Sequence, residues 1–383
     1  MTRNYPANNG TLLQTACAIV FLLFVFVYLY FFQADLLSML QHVLSGGATH
    51  YDRTVGTVVI TAVLYLVHLG AKRLGGLDRV CHALSYFPSL LLLAALTDVE
   101  VDFSVNPLRG LWLWLAPLLL AVYVFLSLAV KYNWIETLPP SYSAPISVLW
   151  KNLLLMACMF IAVCLCGNND SVLHYRLRVE RLLGSGAYSK ALMVGEKSDE
   201  TDASLTMLRA YALSRSGQLG ERLFEFPLTG GSYALLPDGK GVRCLLYPED
   251  RIVRALSIRK KGDMTPMEYL LYIERNGLGR KPVTDYILCG YLLDRNIDAF
   301  VNAIRRKYSL TSPSLPKHYK EALTLYTHLR SNPVLVYHNE VMDADYADFQ
   351  NLEHKYTDAR ERESYVHDMY GDTYWFYYFY HRK

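Results

Sequence analysis

The sequence predicts an all-α protein: a multi-pass transmembrane helical bundle followed by a tetratricopeptide-like α-solenoid with a small β-hairpin insertion. Three observations point there. The 383 residues are 52% hydrophobic yet 19% charged, so the apolar residues must be concentrated: residues 1–166 hold 8 Lys/Arg and 7 Asp/Glu, against 30 and 28 in residues 167–383. Several apolar stretches in the first part approach the ~20 residues a helix needs to cross a ~30 Å hydrocarbon core. In the second part a helix–turn–helix unit recurs at 31 residues, near the ~34-residue period of tetratricopeptide repeats.

The membrane part, residues 1–166, holds about five candidate spans, at residues 12–32, 54–71, 80–97, 111–130 and 146–166. His82, Ser85, Pro88 and Ser89 make the third the least apolar, and four spans is the alternative count. The first is too long for a signal-peptide core and lacks a following small-x-small site, so it reads as a retained anchor. With five spans, Arg3, Lys72, Arg73, Arg79, Lys131 and Lys151 gather on one side, which places the N-terminus in the cytoplasm and the C-terminal part outside. Arg176, Arg178 and Arg181 near the last span oppose this bias. Lys151 lies close enough to its span's start to snorkel to the interface. His68 and His82 lie near span ends and read as interfacial groups, with a proton path as the alternative.

Residues 167–383 read as the helical-repeat domain. In the first copy of its repeat, Gly186 reverses the chain, Tyr188 fills the interface of the helix pair and Ala191 admits the neighbouring helix; Gly217 and Leu219 repeat the first two roles, while Arg222 stands where the small residue belongs. Helix pairs that cannot bury their faces alone stack into a solenoid. Residues 284–294 and 296–304 continue the pattern, as does a helix between Pro316 and Asn332-Pro333. The run 232–247 reads as two strands about a Gly-containing turn. Its Gly239-Lys240-Gly241 is too short for a phosphate loop. Residues 167–320 hold 24 basic and 17 acidic residues, whereas residues 321–372 hold 4 and 11. This polarity serves either attraction within the solenoid or the steering of partners.

The segment 370–380 contains seven consecutive aromatics. It reads as a terminal helix packed on the solenoid or against the bilayer, as a docking element presenting Tyr374, Trp375, Tyr377 and Tyr378, or as a sorting tail.

Chemistry is sparse. A net charge of +3 gives no sign of nucleic-acid binding, and 13% aromatics excludes intrinsic disorder. The seven cysteines include no CxxC pair, and no HExxH, Gly-x-Ser-x-Gly or Gly-x-Gly-x-x-Gly motif occurs. Neither a cofactor nor a metal is expected. Cys244 and Cys289 are disulfide candidates if their domain is extracytoplasmic. Asp98-Val-Glu100-Val-Asp102 places three acids on one face of an extended chain, and without a Gly turn or a further carboxylate at a calcium-loop spacing it reads first as a solvated loop. Together with Arg109 and His50, these acids would be the active groups of a membrane enzyme or transporter acting on a lipid-linked or cell-envelope substrate.

Two stretches, Leu315-Pro-Lys-His-Tyr-Lys-Glu-Ala-Leu323 and Tyr370-Gly-Asp-Thr-Tyr-Trp-Phe-Tyr-Tyr378, carry a resemblance to an uncharacterised family of bacterial multi-pass inner-membrane proteins with a tetratricopeptide-like C-terminal half. Members resemble longer chains with more spans, which makes this a short one. The resemblance implies an inner-membrane location and supplies no substrate, reaction or site residue. The leading expectation is a non-enzymatic scaffold in contact with membrane lipid, whose repeat domain binds a protein or peptide partner at the extracytoplasmic face.

Overall fold

The computed structural model describes residues 8–75, 82–99, 111–131 and 145–381. All regular elements among them are helical. The chain divides into two compact units, residues 1–170 and 171–383.

The first unit opens with α1 (Asn8–Val27), prolonged by a π turn at Tyr28–Phe32. It continues through α2 (Ala34–Leu44), α3 (Arg53–Gly75), a 3-10 turn at His82–Tyr86 running into α4 (Phe87–Thr97), α5 (Leu111–Lys131) and α6 (Pro145–Cys166). Four helices are long and apolar enough to cross a membrane: Thr11–Phe32, Arg53–Gly75, Trp112–Ala129 and Ile146–Cys166. The third expected span is instead a shorter apolar segment, His82–Thr97. At ~2.0 Å per 3-10 residue and ~1.5 Å per α residue it rises roughly 26 Å.

In α1 the buried residues recur every fourth position, at Leu13, Cys17, Phe21, Val25 and Leu29, while Ile19 and Leu23 are exposed. A helix apolar all round, with one face in a bundle and the other uncovered, suits a hydrocarbon surrounding. The polar residues that lower the hydropathy of 82–97 face inward. His68 Nδ1 and Ser85 Oγ lie 3.1 Å apart, Ser89 Oγ donates to the Leu64 carbonyl at 2.7 Å, and the His68 ring stacks on Tyr86 at 3.7 Å between centroids. Asn152 faces inward as well, its Oδ1 accepting the Ala83 N–H at 2.8 Å.

These bonds fix the helix directions. Tyr28 OH and Thr97 Oγ1 share a hydrogen bond at 3.3 Å, and the Asn168 N–H donates to the Thr97 carbonyl at 2.9 Å. The C-terminal ends of α1, α4 and α6 therefore meet. Lys72 Nζ donates to Gln14 Oε1 at 3.0 Å, tying the end of α3 to the start of α1. Trp112 Nε1 donates to Asp98 Oδ2 at 2.5 Å, and Phe87 stacks on Tyr123 at 5.5 Å, so α5 runs antiparallel to α4. Thus α1, α4 and α6 share one direction, and α3 and α5 take the other.

The second unit contains α7 (Ser171–Gly184), α8 (Tyr188–Leu192), α9 (Ala203–Arg215), α10 (Leu219–Arg222), α11 (Glu249–Leu256), α12 (Pro266–Arg275), α13 (Val283–Leu293), α14 (Ile297–Lys307), α15 (Lys317–Leu329), α16 (Glu340–Lys355), α17 (Ala359–Tyr370) and α18 (Tyr374–Tyr380). The turns after α7 and α9 are built alike. Gly186 and Gly217 adopt φ +72° and +69°. Each N–H bonds the carbonyl three residues back, and the next N–H reaches five back, from Ala187 to Leu182 and from Gln218 to Leu213. This double bond pattern caps the helix and needs a left-handed residue. The turn after α13 has the same two bonds, but Arg295 occupies the left-handed position at φ +56°. Tyr188 packs edge-on to Tyr211 at 6.5 Å, and Ala191 and Leu219 are buried. The second helices of these first two pairs are short, at five and four residues.

The expected hairpin at 232–247 is not formed. Gly231–Leu235 is a 3-10 turn, and no strand occurs among the described residues. The turn about Gly239 does close: Asp238 Oδ1 accepts the Lys240 and Val242 N–H groups, and Asp238 N–H bonds the Val242 carbonyl. Beyond it, the backbone donors that a second strand would pair go to side chains from elsewhere. Arg243 N–H reaches Ser204 Oγ at 3.2 Å and Cys244 N–H reaches Glu249 Oε1 at 2.9 Å. Leu245, Leu246 and Tyr247 N–H groups converge on the buried Glu180 carboxylate at 2.5–3.0 Å. Burial pushes the Glu180 carboxyl up, with these three amides and Arg176 drawing it back.

Candidate functional site

The two stretches 315–323 and 370–378, remote in sequence, meet in the second unit. Phe224 N–H donates to His318 Nε2 at 3.3 Å. That acceptor role leaves the ring proton on Nδ1, facing Glu321 Oε2 at 2.9 Å. The same carboxylate oxygen accepts the Tyr374 N–H at 2.7 Å, and the Glu321 carbonyl accepts Trp375 Nε1 at 2.8 Å. Thr373 caps α18 by accepting the Phe376 N–H. Tyr377 OH donates to the Leu293 carbonyl at 2.8 Å, and Arg295 donates to the carbonyls of Tyr377 and His381. Lys317 pairs with Asp372 at 2.8 Å. Burial lowers the Lys317 ammonium, but Asp372 and Glu321 outweigh it and hold the group above its ordinary value.

Tyr374, Trp375 and Tyr377 are consequently buried in their own unit's core, with Tyr378 half-buried. What α18 and α17 leave open beside them is a groove of about 760 Å³, within the ~300–1,000 Å³ usual for ligand sites. Residues 196–201 form one side and α17 the other. Phe224, Phe226 and Tyr377, all buried, line its base. Phe376 stands half-buried in its wall, stacked on Tyr380 at 5.2 Å and edge-on to His367 at 5.1 Å. His381, at the end of α18, has its imidazole drawn down by burial and by Arg295.

Beneath the base lies a cation that sequence inspection did not single out. Arg209 is fully buried, donates to the Gly195 carbonyl at 3.1 Å, and has its guanidinium carbon 5.1 Å from the Phe226 ring centre. Burial pulls it down to about 10, with Tyr175 and Asp202 acting the other way.

Residues 105–248 and 263–381 match the model of a family of unknown function (DUF6057). The chain belongs to that family. Both sides of the groove, and the two stretches that meet at Glu321, lie within the residues matched to DUF6057. No curated protein and no solved structure matches the chain.

Of the five groups expected for a membrane enzyme, two lie among the described residues. His50 is exposed between α2 and α3, and Asp98 holds the Trp112 indole. Glu100, Asp102 and Arg109 lie outside the described residues. No cluster of three metal-ligating side chains occurs among those described. Cys244 and Cys289 are free thiols, Cys289 buried and Cys244 half-buried. The groove escaped sequence inspection because its lining comes from three separate stretches. Phe224-Glu-Phe226-Pro227, directly after the second repeat turn, was the local sign available.

Proposed function

We propose that the chain is a non-enzymatic scaffold of the bacterial inner membrane, whose tetratricopeptide-like unit binds a protein or peptide segment in the groove. The groove carries this reading: a concave, aromatic-based site between a loop and two helices gives a peptide segment a place to dock. Site-specific photo-crosslinking tests it. A benzophenone amino acid at Phe376 is expected to yield a discrete adduct in cells, and one at exposed Ile258 is expected to yield none. Indistinguishable patterns from the two positions would dismiss the groove as a binding site.

We infer an extracytoplasmic location for this unit, a reading that the helix directions support. With α1, α4 and α6 parallel and α3 and α5 opposed, the chain makes five crossings, the short α4 segment included. The end of α6 then faces away from the N-terminus, which Arg3, Lys72, Arg73 and Arg79 hold in the cytoplasm. A cysteine at Ile258, which is 85% exposed, is expected to react with an impermeant maleimide in intact spheroplasts. Labelling only after permeabilisation would require an even number of crossings. The alternative, a membrane enzyme or transporter, draws its support from the inward-facing His68, Ser85 and Tyr86.

A further inference from the structure

We infer that the groove selects a cationic segment, a peptide with Arg or Lys set among apolar residues. This inference rests on the groove being a binding site and names the chemistry of its occupant. Six of the lining side chains are carboxylates and one is a lysine, Lys197. Neighbouring bases neutralise three of these carboxylates, and Arg362 meets Tyr380. Arg222 pairs with Glu225 at 2.7 Å and Glu196 at 3.6 Å, and Lys317 pairs with Asp372. Arg295 clasps the end of α18, and Arg209 is sealed beneath Gly195 and Phe226.

Asp199, in the 196–201 side, and Asp368, on α17, are both exposed, and neither has a hydrogen-bond or ion-pair partner among the described residues. They line the same groove as the half-buried Phe376–Tyr380 stack. Two unpaired carboxylates in a groove that also holds aromatic rings provide what a guanidinium or ammonium recognises: exposed negative charge, and ring surface for its alkyl stem and cation–π contact. An acidic segment would meet the same carboxylates as repulsion, so they also discriminate.

The test uses the full chain in nanodiscs of zwitterionic lipid and three fluorescein-labelled peptides, with Arg-Leu-Arg, Ser-Leu-Ser or Glu-Leu-Glu at the centre of one Gly/Ser frame. The Arg peptide is expected to bind, and the Glu peptide is not. The double variant Asp199→Asn/Asp368→Asn is expected to lose about tenfold in affinity for the Arg peptide, as is the wild type when salt rises from about 50 to 300 mM. Both changes are isosteric and exposed, and unfolding curves matching the wild type verify that the variant is folded. Equal binding of Ser and Arg peptides, an unchanged affinity in the folded double variant, or no binding of the Arg peptide would each overturn the inference. A discrete crosslink from Phe376 alongside any of those outcomes would leave the groove as a site of different selectivity. Loss of both signals would remove the groove reading as well.

Discussion

Glu180→Ala is expected to destabilise the second unit by about 3–5 kcal/mol, the range for stripping a buried charged group from its partners. At roughly 2–4 °C per kcal/mol for a domain of this size, thermal unfolding followed by circular dichroism should shift by about 6–20 °C. The size follows from what the carboxylate holds: three successive N–H groups of residues 245–247, in a segment without strand partners. Glu180→Gln keeps one carbonyl oxygen and should retain part of the stability. A loss below about 1 kcal/mol for the alanine variant would mean that residues 242–247 find their partners in one another, as a hairpin would.

Trp375→Ala should be comparably damaging, at about 3–5 kcal/mol, because it empties a large buried site. It also removes the indole donor from the Glu321 carbonyl. Exposed Phe379 supplies the control: its alanine variant should stay within about 0.5 kcal/mol of wild type. Thermal unfolding measures both. A Trp375 variant of wild-type stability would mean that the aromatic segment is held for an external partner.

How much of this was legible depends on how local each cause is. Hydropathy locates the long apolar helices because their exposed faces are as apolar as their buried ones, as Ile19 and Phe21 illustrate. The inward-facing His68, Ser85 and Ser89 blur the same signal at 82–97, since sequence records their polarity but not their partners. Gly186 and Gly217 were readable because a left-handed cap has a strong residue preference. Arg295 was not, because it occupies such a position while its side chain holds α18. The hairpin expectation used correct local cues, namely alternation and a Gly turn. It failed because Glu180, 65 residues before Leu245, supplies the acceptor that a neighbouring strand would have supplied. The burial of Tyr374, Trp375 and Tyr377 was among the readings that the segment's composition allowed; its anchoring at Glu321 was not. The groove, assembled from residues 196–201, 224–228 and 363–381, has no contiguous signature.

The bond between Phe224 and His318, and that between Glu321 and Tyr374, also have a temporal consequence. At the usual 5–20 residues per second of synthesis, Tyr374 is added on the order of ten seconds after Phe224. Once α15 is made, late in that interval, the nascent unit presents that helix's apolar side without its cover, and Glu321 lacks one of its donors until Tyr374 follows. Closure of the unit therefore waits for its last helix, and the groove does not exist in a chain still being made. A partner of the kind proposed for the groove would therefore meet it only after α18 has been added.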